Sequence, residues 1–251
     1  RQMCIRDRCD TDYDGIDDLT EIERGLNPLV YDKPDLAIFS EDITYSPSYP
    51  VLRRNQEFIT VSLRITIRNI GNNSAPSNKY RRGFNIRISV YEESDSTSTF
   101  LASSFWTYWK MHSGDTYTTS ISMGLRGGHH RLKIVLWANI IDANSSNNIA
   151  FLDIHIKSPP KAEAYLDIYG YEVYGYASLN KSGVCRVDLI GLGSDIDGDI
   201  VAYMWDIDGD GEWDFTSNTT GNFTVYLYDT GVYAFIFRVM DNDSLYDETT
   251  V

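Results

Sequence analysis

Phe58-Ile-Thr-Val-Ser-Leu-Arg-Ile-Thr-Ile-Arg68 decides the fold class. Apolar and polar side chains alternate along it, and successive side chains of a strand point to opposite faces of a sheet. One face is therefore built to be buried and the other to stay wet. Further segments of the same kind follow at Phe84–Tyr91, Phe100–Trp109, Asp115–Met123, Arg131–Trp137 and Ala150–Ile156. Turn-forming clusters separate them: Asn69-Ile-Gly-Asn-Asn-Ser, Ser94-Asp-Ser-Thr-Ser, Arg126-Gly-Gly and Asp142-Ala-Asn-Ser-Ser-Asn-Asn. About seven strands so spaced, with no helical period among them, predict an antiparallel β-sandwich over residues 34–157.

Ser158-Pro-Pro160 interrupts the pattern, because proline gives no amide to a strand ladder, and reads as a linker over 158–160. Beyond it the alternation resumes at Ala164–Tyr169, Tyr171–Ala177, Val184–Leu189, Ile200–Asp206, Gly221–Tyr228 and Val232–Met240. These predict a second, smaller sandwich over 161–251, with the last residues lying in what could be another strand.

Before the first sandwich, residues 9–33 read as loop, short helix, loop. Asp17, Asp18 and Thr20 favour a helix start, while Leu19, Ile22 and Leu26 share one face. Gly25 suits the residue after the helix, and Asn27-Pro28 stops it. Two turns cannot stand alone in water, so this helix needs a bound ion or a packed neighbour. Residues 1–8, Arg-Gln-Met-Cys-Ile-Arg-Asp-Arg, resemble the translation of a transposase end used in sequencing libraries and are expected to be an assembly artefact.

The 251 residues carry a formal charge of −14. Excluding residues 1–8 removes three arginines and one aspartate and makes it −16. Such a balance argues against nucleic acid or an anionic membrane as partner. No apolar run approaches the roughly eighteen residues a membrane-spanning helix requires. Of three cysteines, Cys4 falls in the suspect segment, and Cys9 and Cys185 read as unpaired thiols, too few for a disulfide framework.

The acidity is concentrated. Asp-x-Asp-x-Asp-Gly-x-x-Asp occurs twice, as Asp10, Asp12, Asp14, Gly15, Asp18 and as Asp206, Asp208, Asp210, Gly211, Asp214. Carboxylates at alternate positions of a tight loop can converge on one hard cation, and the glycine allows the turn that gathers them. Only the first copy continues to a glutamate at position twelve, Glu21, where a bidentate ligand closes a calcium shell. Calcium is therefore expected on Asp10, Asp12, Asp14, the Ile16 carbonyl, Asp18 and Glu21. The second copy ends a strand, and its Asp208-Gly-Asp-Gly211 reads first as a hairpin turn, with calcium on Asp206, Asp208, Asp210 and Asp214 as the alternative. Asp195, Asp197 and Asp199 read as a turn.

Other candidates are weaker. His129 and His130 are adjacent on a strand, point to opposite faces and cannot readily chelate one ion; His112 and His155 read as isolated. Trp106 and Tyr108 share a strand face opposite Trp109, which fits core and edge packing better than a sugar platform. No phosphate loop, nucleophile elbow or zinc-protease signature occurs, and no catalytic residue is assigned. Five Asn-x-Ser/Thr sequons, at Asn72, Asn144, Asn218, Asn222 and Asn242, are compatible with a glycosylated surface protein.

Three resemblances follow from these residues. Gly193-Ser-Asp-Ile-Asp-Gly-Asp-Ile200, Tyr203-Met-Trp-Asp-Ile-Asp-Gly-Asp-Gly211 and the run from Tyr228 to Asp241 resemble a PKD domain, which implies Trp205 as core anchor and Gly231 and Tyr233 at a strand start. Pro34-Asp-Leu, Val61 to Ala75, Gly127-Gly-His-His and Ala138 to Asn148 look like a CARDB adhesion-related domain; Asp142, Ala143 and Ser145 replace most of that family's acidic ending. The Asp10–Glu21 loop with Gly25-Leu-Asn-Pro28 resembles thrombospondin type 3-like or dockerin-like calcium repeats. The resulting expectation is all-β: two tandem antiparallel, immunoglobulin-like sandwiches behind a calcium loop and short helix. It implies a non-catalytic stalk or adhesion segment of an exported prokaryotic, conceivably archaeal, protein at the cell surface or outside the cell, contacting a protein or polysaccharide. The alternative is accessory modules of a secreted peptidase or glycoside hydrolase.

Overall fold

The computed structural model describes residues 9–13, 16–76, 83–94, 96–168, 171–172 and 183–251. The chain forms two compact units, one of 1–49, 60–124 and 130–154, the other of 50–59, 125–129 and 155–251. The expected artefact at 1–8, Asp14 with Gly15, and most of the Tyr171–Ala177 segment lie outside the described residues.

A single α-helix among the described residues, α1 (Asp18–Glu23), precedes the strands. Seven strands follow: β1 (Leu36–Ser46), β2 (Ile59–Asn69), β3 (Phe84–Ser94), β4 (Thr97–Tyr108), β5 (Thr116–Leu125), β6 (Gly128–Ala138) and β7 (Ile149–Ile156). They form two sheets, ordered β1-β2-β5 and β4-β3-β6-β7. Alternation does its predicted work here: Val61, Leu63, Ile65 and Ile67 of β2 are fully buried, as are Ile86, Ile88 and Val90 of β3. On the wet face of β2, Ser62 meets Ser122 at 2.7 Å and Thr66 meets Thr118 at 3.1 Å, so β2 and β5 run antiparallel. Trp106 and Tyr108 of β4 pack their rings on Tyr117 of β5, 5.4 and 5.0 Å between centroids, joining the two sheets; Trp109 is exposed.

β1 was not among the expected strands. Its register slips between Ile38 and Ile43, an irregularity that breaks the alternation across Ser40-Glu-Asp42. The slip places Asp42 beside Arg68 of β2, whose guanidinium donates to both carboxylate oxygens and holds that carboxyl below its usual range. Asn69 is the buried hinge of the following turn. Its amide donates to the Asn73 and Met111 carbonyls, and its oxygen accepts from the Asp35 and Gly71 amides.

The second unit holds β8 (Lys161–Ile168), β9 (Tyr171–Glu172), β10 (Cys185–Ser194), β11 (Ile200–Asp206), β12 (Phe215–Ser217), β13 (Phe223–Leu227), β14 (Ile236–Asp241) and β15 (Tyr246–Thr250). These build the sheets β13-β10-β8-β9 and β12-β11-β14-β15, which close over Val187, Leu189, Trp205, Phe237 and Val239. The architecture is thus all-β, with immunoglobulin-like antiparallel sandwiches. Trp205 is fully buried, lies 4.6 Å from Phe237 and donates its indole N–H to the Gly221 carbonyl at 2.7 Å. A side chain at Gly191 would collide with the Phe237 ring, so only glycine fits beneath that pair. The last long strand starts at Ile236, not Val232, and the Tyr233 hydroxyl reaches back to the Asp229 carbonyl at 3.0 Å, pinning the turn before it.

Two expectations need correction. Cys9 is disulfide-bonded, whereas Cys185 is the buried free thiol. His155 is not isolated: it stacks on His129 at 3.9 Å and lies 3.2 Å from Asp197. His129 and His130 do point apart, the first exposed, the second buried against Glu92 at 2.5 Å.

Phe237 is fully buried and packs on Trp205, Tyr203 and the Gly191 backbone. Phe237→Ala is expected to destabilise the second unit by about 3–5 kcal/mol, read as a lower midpoint in urea unfolding followed by tryptophan fluorescence.

Candidate metal centres

Asp206 closes β11 and is buried, and its carboxylate bends the chain that follows. One oxygen accepts the Gly209 amide at 2.7 Å and the other the Gly211 amide at 3.1 Å. Both glycines lie in the left-handed region, φ +77° and +90°, as the turn reading requires. Asp208 and Asp210 each accept an amide two residues on. The loop thereby folds so that carboxylate oxygens of Asp206, Asp208 and Asp210 all lie within 4.8 Å of one another. Oxygens sharing one calcium at about 2.4 Å can be at most about 4.8 Å apart, so these three are close enough to share one cation as part of the roughly six to eight oxygens calcium takes. Asp214 is not part of that group; it accepts the Ile207 amide at 2.7 Å and closes the loop's base.

The first ladder is organised differently. Asp17 caps α1, accepting the Thr20 amide and hydroxyl, both at 2.9 Å. Gly25 (φ +72°) ends it in a Schellman arrangement, with Leu26 N–H on the Glu21 carbonyl and Gly25 N–H on that of Ile22. The apolar face expected of this helix is not its buried face. Leu19 and Ile22 are exposed, and the completely buried residue is Glu21. A carboxylate is costly to bury, so its environment, not apolar packing, fixes the helix. Ile16 is buried alongside, and Asp10 and Asp12 are half-buried. Asp18 accepts the Thr11 amide at 2.7 Å and hydroxyl at 2.6 Å, which makes it a loop-closing residue.

Asp32 joins this ladder without belonging to its spacing. It is buried, bonded to the Asn72 amide, and its own carbonyl accepts from Asn73 at 2.9 Å. Burial pushes its carboxyl up; the Asn72 bond opposes this, and the nearby Asp12 charge adds to it. No sequence signal marks Asp32, because only the tertiary fold brings it to Asp12.

Asp195, Asp197 and Asp199 form the expected turn. Burial raises the Asp195 carboxyl, and the charges of Asp197 and Asp241 raise it further. Asp197 accepts the Ser158 amide and hydroxyl, and Asp241 accepts the amides of Asp243 and Leu245, both at 2.8 Å. Asp142, in the segment likened to an acidic ending, anchors Leu36 N–H and the Asn148 amide.

No protein family and no curated protein matches the chain. Among solved structures, a red sea bream transglutaminase aligns over 94% of this chain and 33% of its own at 10% identity, TM-score 0.32. The chain thus spans about a third of that protein. Fibronectin(III)-like modules of Clostridium thermocellum CbhA align over 83% and 91% at 16% identity, TM-score 0.27. The Yersinia pseudotuberculosis adhesin InvE aligns over 86% and 59% at 13% identity, TM-score 0.27. None of the three is similar enough to lend this chain an activity.

Because the folded-state Asp32 carboxyl is raised, it contributes stability only below its unfolded pKa and loses it as pH rises through the folded value. Asp32→Asn keeps an acceptor for Asn72. In chelator it is therefore expected to melt higher than the parent at neutral pH, the gain shrinking toward about pH 4; thermal melts across that range check it.

Proposed function

We propose that this chain is a calcium-stabilised, non-catalytic stalk or adhesion segment of an exported cell-surface protein. On this reading a calcium loop precedes a CARDB-like and then a PKD-like sandwich, and the modules space or present a contact to a protein or polysaccharide. The observation that carries it is the convergence of Asp206, Asp208 and Asp210 within 4.8 Å, in a chain of net charge −14. Calcium would relieve the mutual repulsion of these carboxylates and fix a loop that otherwise holds its shape by amide bonds alone. At the first loop the ligands would be Asp10, Asp12, Asp14, the Ile16 carbonyl, Asp18 and Glu21, with Asp32 near enough to feel the Asp12 charge. The residues present fit calcium better than magnesium, since flexible loop oxygens enforce no octahedron.

A ion held only by the folded state raises stability by mass action, about 2.7 kcal/mol at a hundredfold excess over Kd. The full chain is expected to melt several degrees higher in millimolar calcium than in chelator. Asp208→Asn/Asp210→Asn and Asp12→Asn/Glu21→Gln are each expected to remove part of that shift. Equal melts with and without calcium would sink the proposal.

A further inference from the structure

The outer face of the β4-β3-β6-β7 sheet carries side chains that a wet sheet face does not need. Strand pairing sets Phe105, Arg87 and Trp137 in one row, since Arg87 faces Phe105 on β4 and Trp137 on β6. Phe105 is 59% and Trp137 43% exposed. The Arg87 guanidinium lies over the Trp137 ring, 5.4 Å from its centroid. Further along the same face, Arg131 lies over the Phe151 ring at 5.2 Å, and Phe100 is 56% exposed. Single exposed rings are ordinary on a protein surface, but Phe105, Arg87 and Trp137 stand side by side on three neighbouring strands, and a continuous patch of that kind can mark a binding surface.

We propose that this face binds an acidic polysaccharide, a polyuronate, by stacking sugar rings on its aromatics and pairing a carboxylate with Arg87, since Arg131 already faces Glu93 across the sheet. An arginine laid flat on an aromatic ring keeps its N–H edge outward and loses little freedom when it meets a carboxylate. Arg87 is exposed and stands in no ion pair among the described residues, so its fork is uncommitted. Lys133 on β6 is, by contrast, spent on Glu93 at 3.4 Å. Between the Phe105 and Phe100 positions stands exposed Ser103, which offers a hydroxyl to sugar edges, whereas Ser89 opposite it is buried. A protein partner would favour an unbroken apolar patch; alternating rings, hydroxyls and guanidinium forks suit pyranoses bearing carboxylates. The chain's overall negative charge opposes approach at low salt, but beyond about 8 Å that repulsion is screened at physiological ionic strength, whereas the contacts at Arg87 are not.

The proposal rests on the adhesion reading for its setting, and it can fail while calcium still stabilises the chain. The test is binding of polygalacturonate to the full chain in calorimetry, beside a neutral glucan of similar length. Polygalacturonate is expected to bind and the glucan to bind at least about tenfold more weakly. Arg87→Ala and Trp137→Ala, both at exposed positions, are expected to weaken binding about tenfold with unchanged melting temperature, and Arg87→Lys to recover only part of it. Equal binding of the glucan, undiminished binding by the variants, or no binding at all overturns the proposal. So does a dimer of the chain that Arg87→Ala dissociates, since the face would then be occupied by a second copy.

Discussion

Mutual repulsion among carboxylates is the constraint on which the loops and strand ends of this structure turn. A strand of a sandwich has one dry face, so a chain with 36 acidic and 22 basic residues must place its surplus on the outer faces or at the strand ends. Two like charges about 4 Å apart cost on the order of 1 kcal/mol even in water and more where water is excluded. Some acids meet cations within a sheet, as Asp42 meets Arg68 across β1 and β2 and Glu248 meets Arg238 across β14 and β15. Others gather at loops, where backbone amides replace side-chain cations: Asp206 takes two, Asp241 two. Amides bond carboxylates without cancelling their charge. On the proposed reading, calcium supplies the positive charge that these amide bonds do not.

The sandwiches themselves do not depend on that charge. Their cores are layers of alternating apolar residues, and in the second unit the Trp205–Phe237 pair, with glycine beneath it, fixes how closely the sheets approach. An indole N–H buried in that layer must find an acceptor, and the Gly221 carbonyl provides it. The acidic loop begins at Asp206, the residue directly after Trp205, so its first carboxylate is placed by the core of the second unit.

Much of this was legible in the sequence. Strict alternation over β2 and β3 gave their faces residue by residue, and the Asp-Gly spacing placed the turn after Asp206, with positive φ where glycine stands. What escaped did so for physical reasons. β1 carries a register slip that hides its period, and β12 is three residues long, too short to show one. Around α1 the residue types misled: Leu19 and Ile22 have helical spacing, yet the buried position is Glu21, because burial there follows the charged loop. Asp32 has no pattern at all; it reaches Asp12 only through the fold. Position twelve favoured the first copy on sequence; among the described residues, which leave out Asp14, three carboxylates are drawn together at the second.

The most direct measurement is a crystal structure of the full chain grown in saturating calcium, with ions located by their anomalous scattering. A calcium bound by Asp206, Asp208 and Asp210 is expected, and a second among Asp12, Glu21 and the rest of the first loop. Ordered carboxylates with no ion at either loop would contradict the view that calcium completes them.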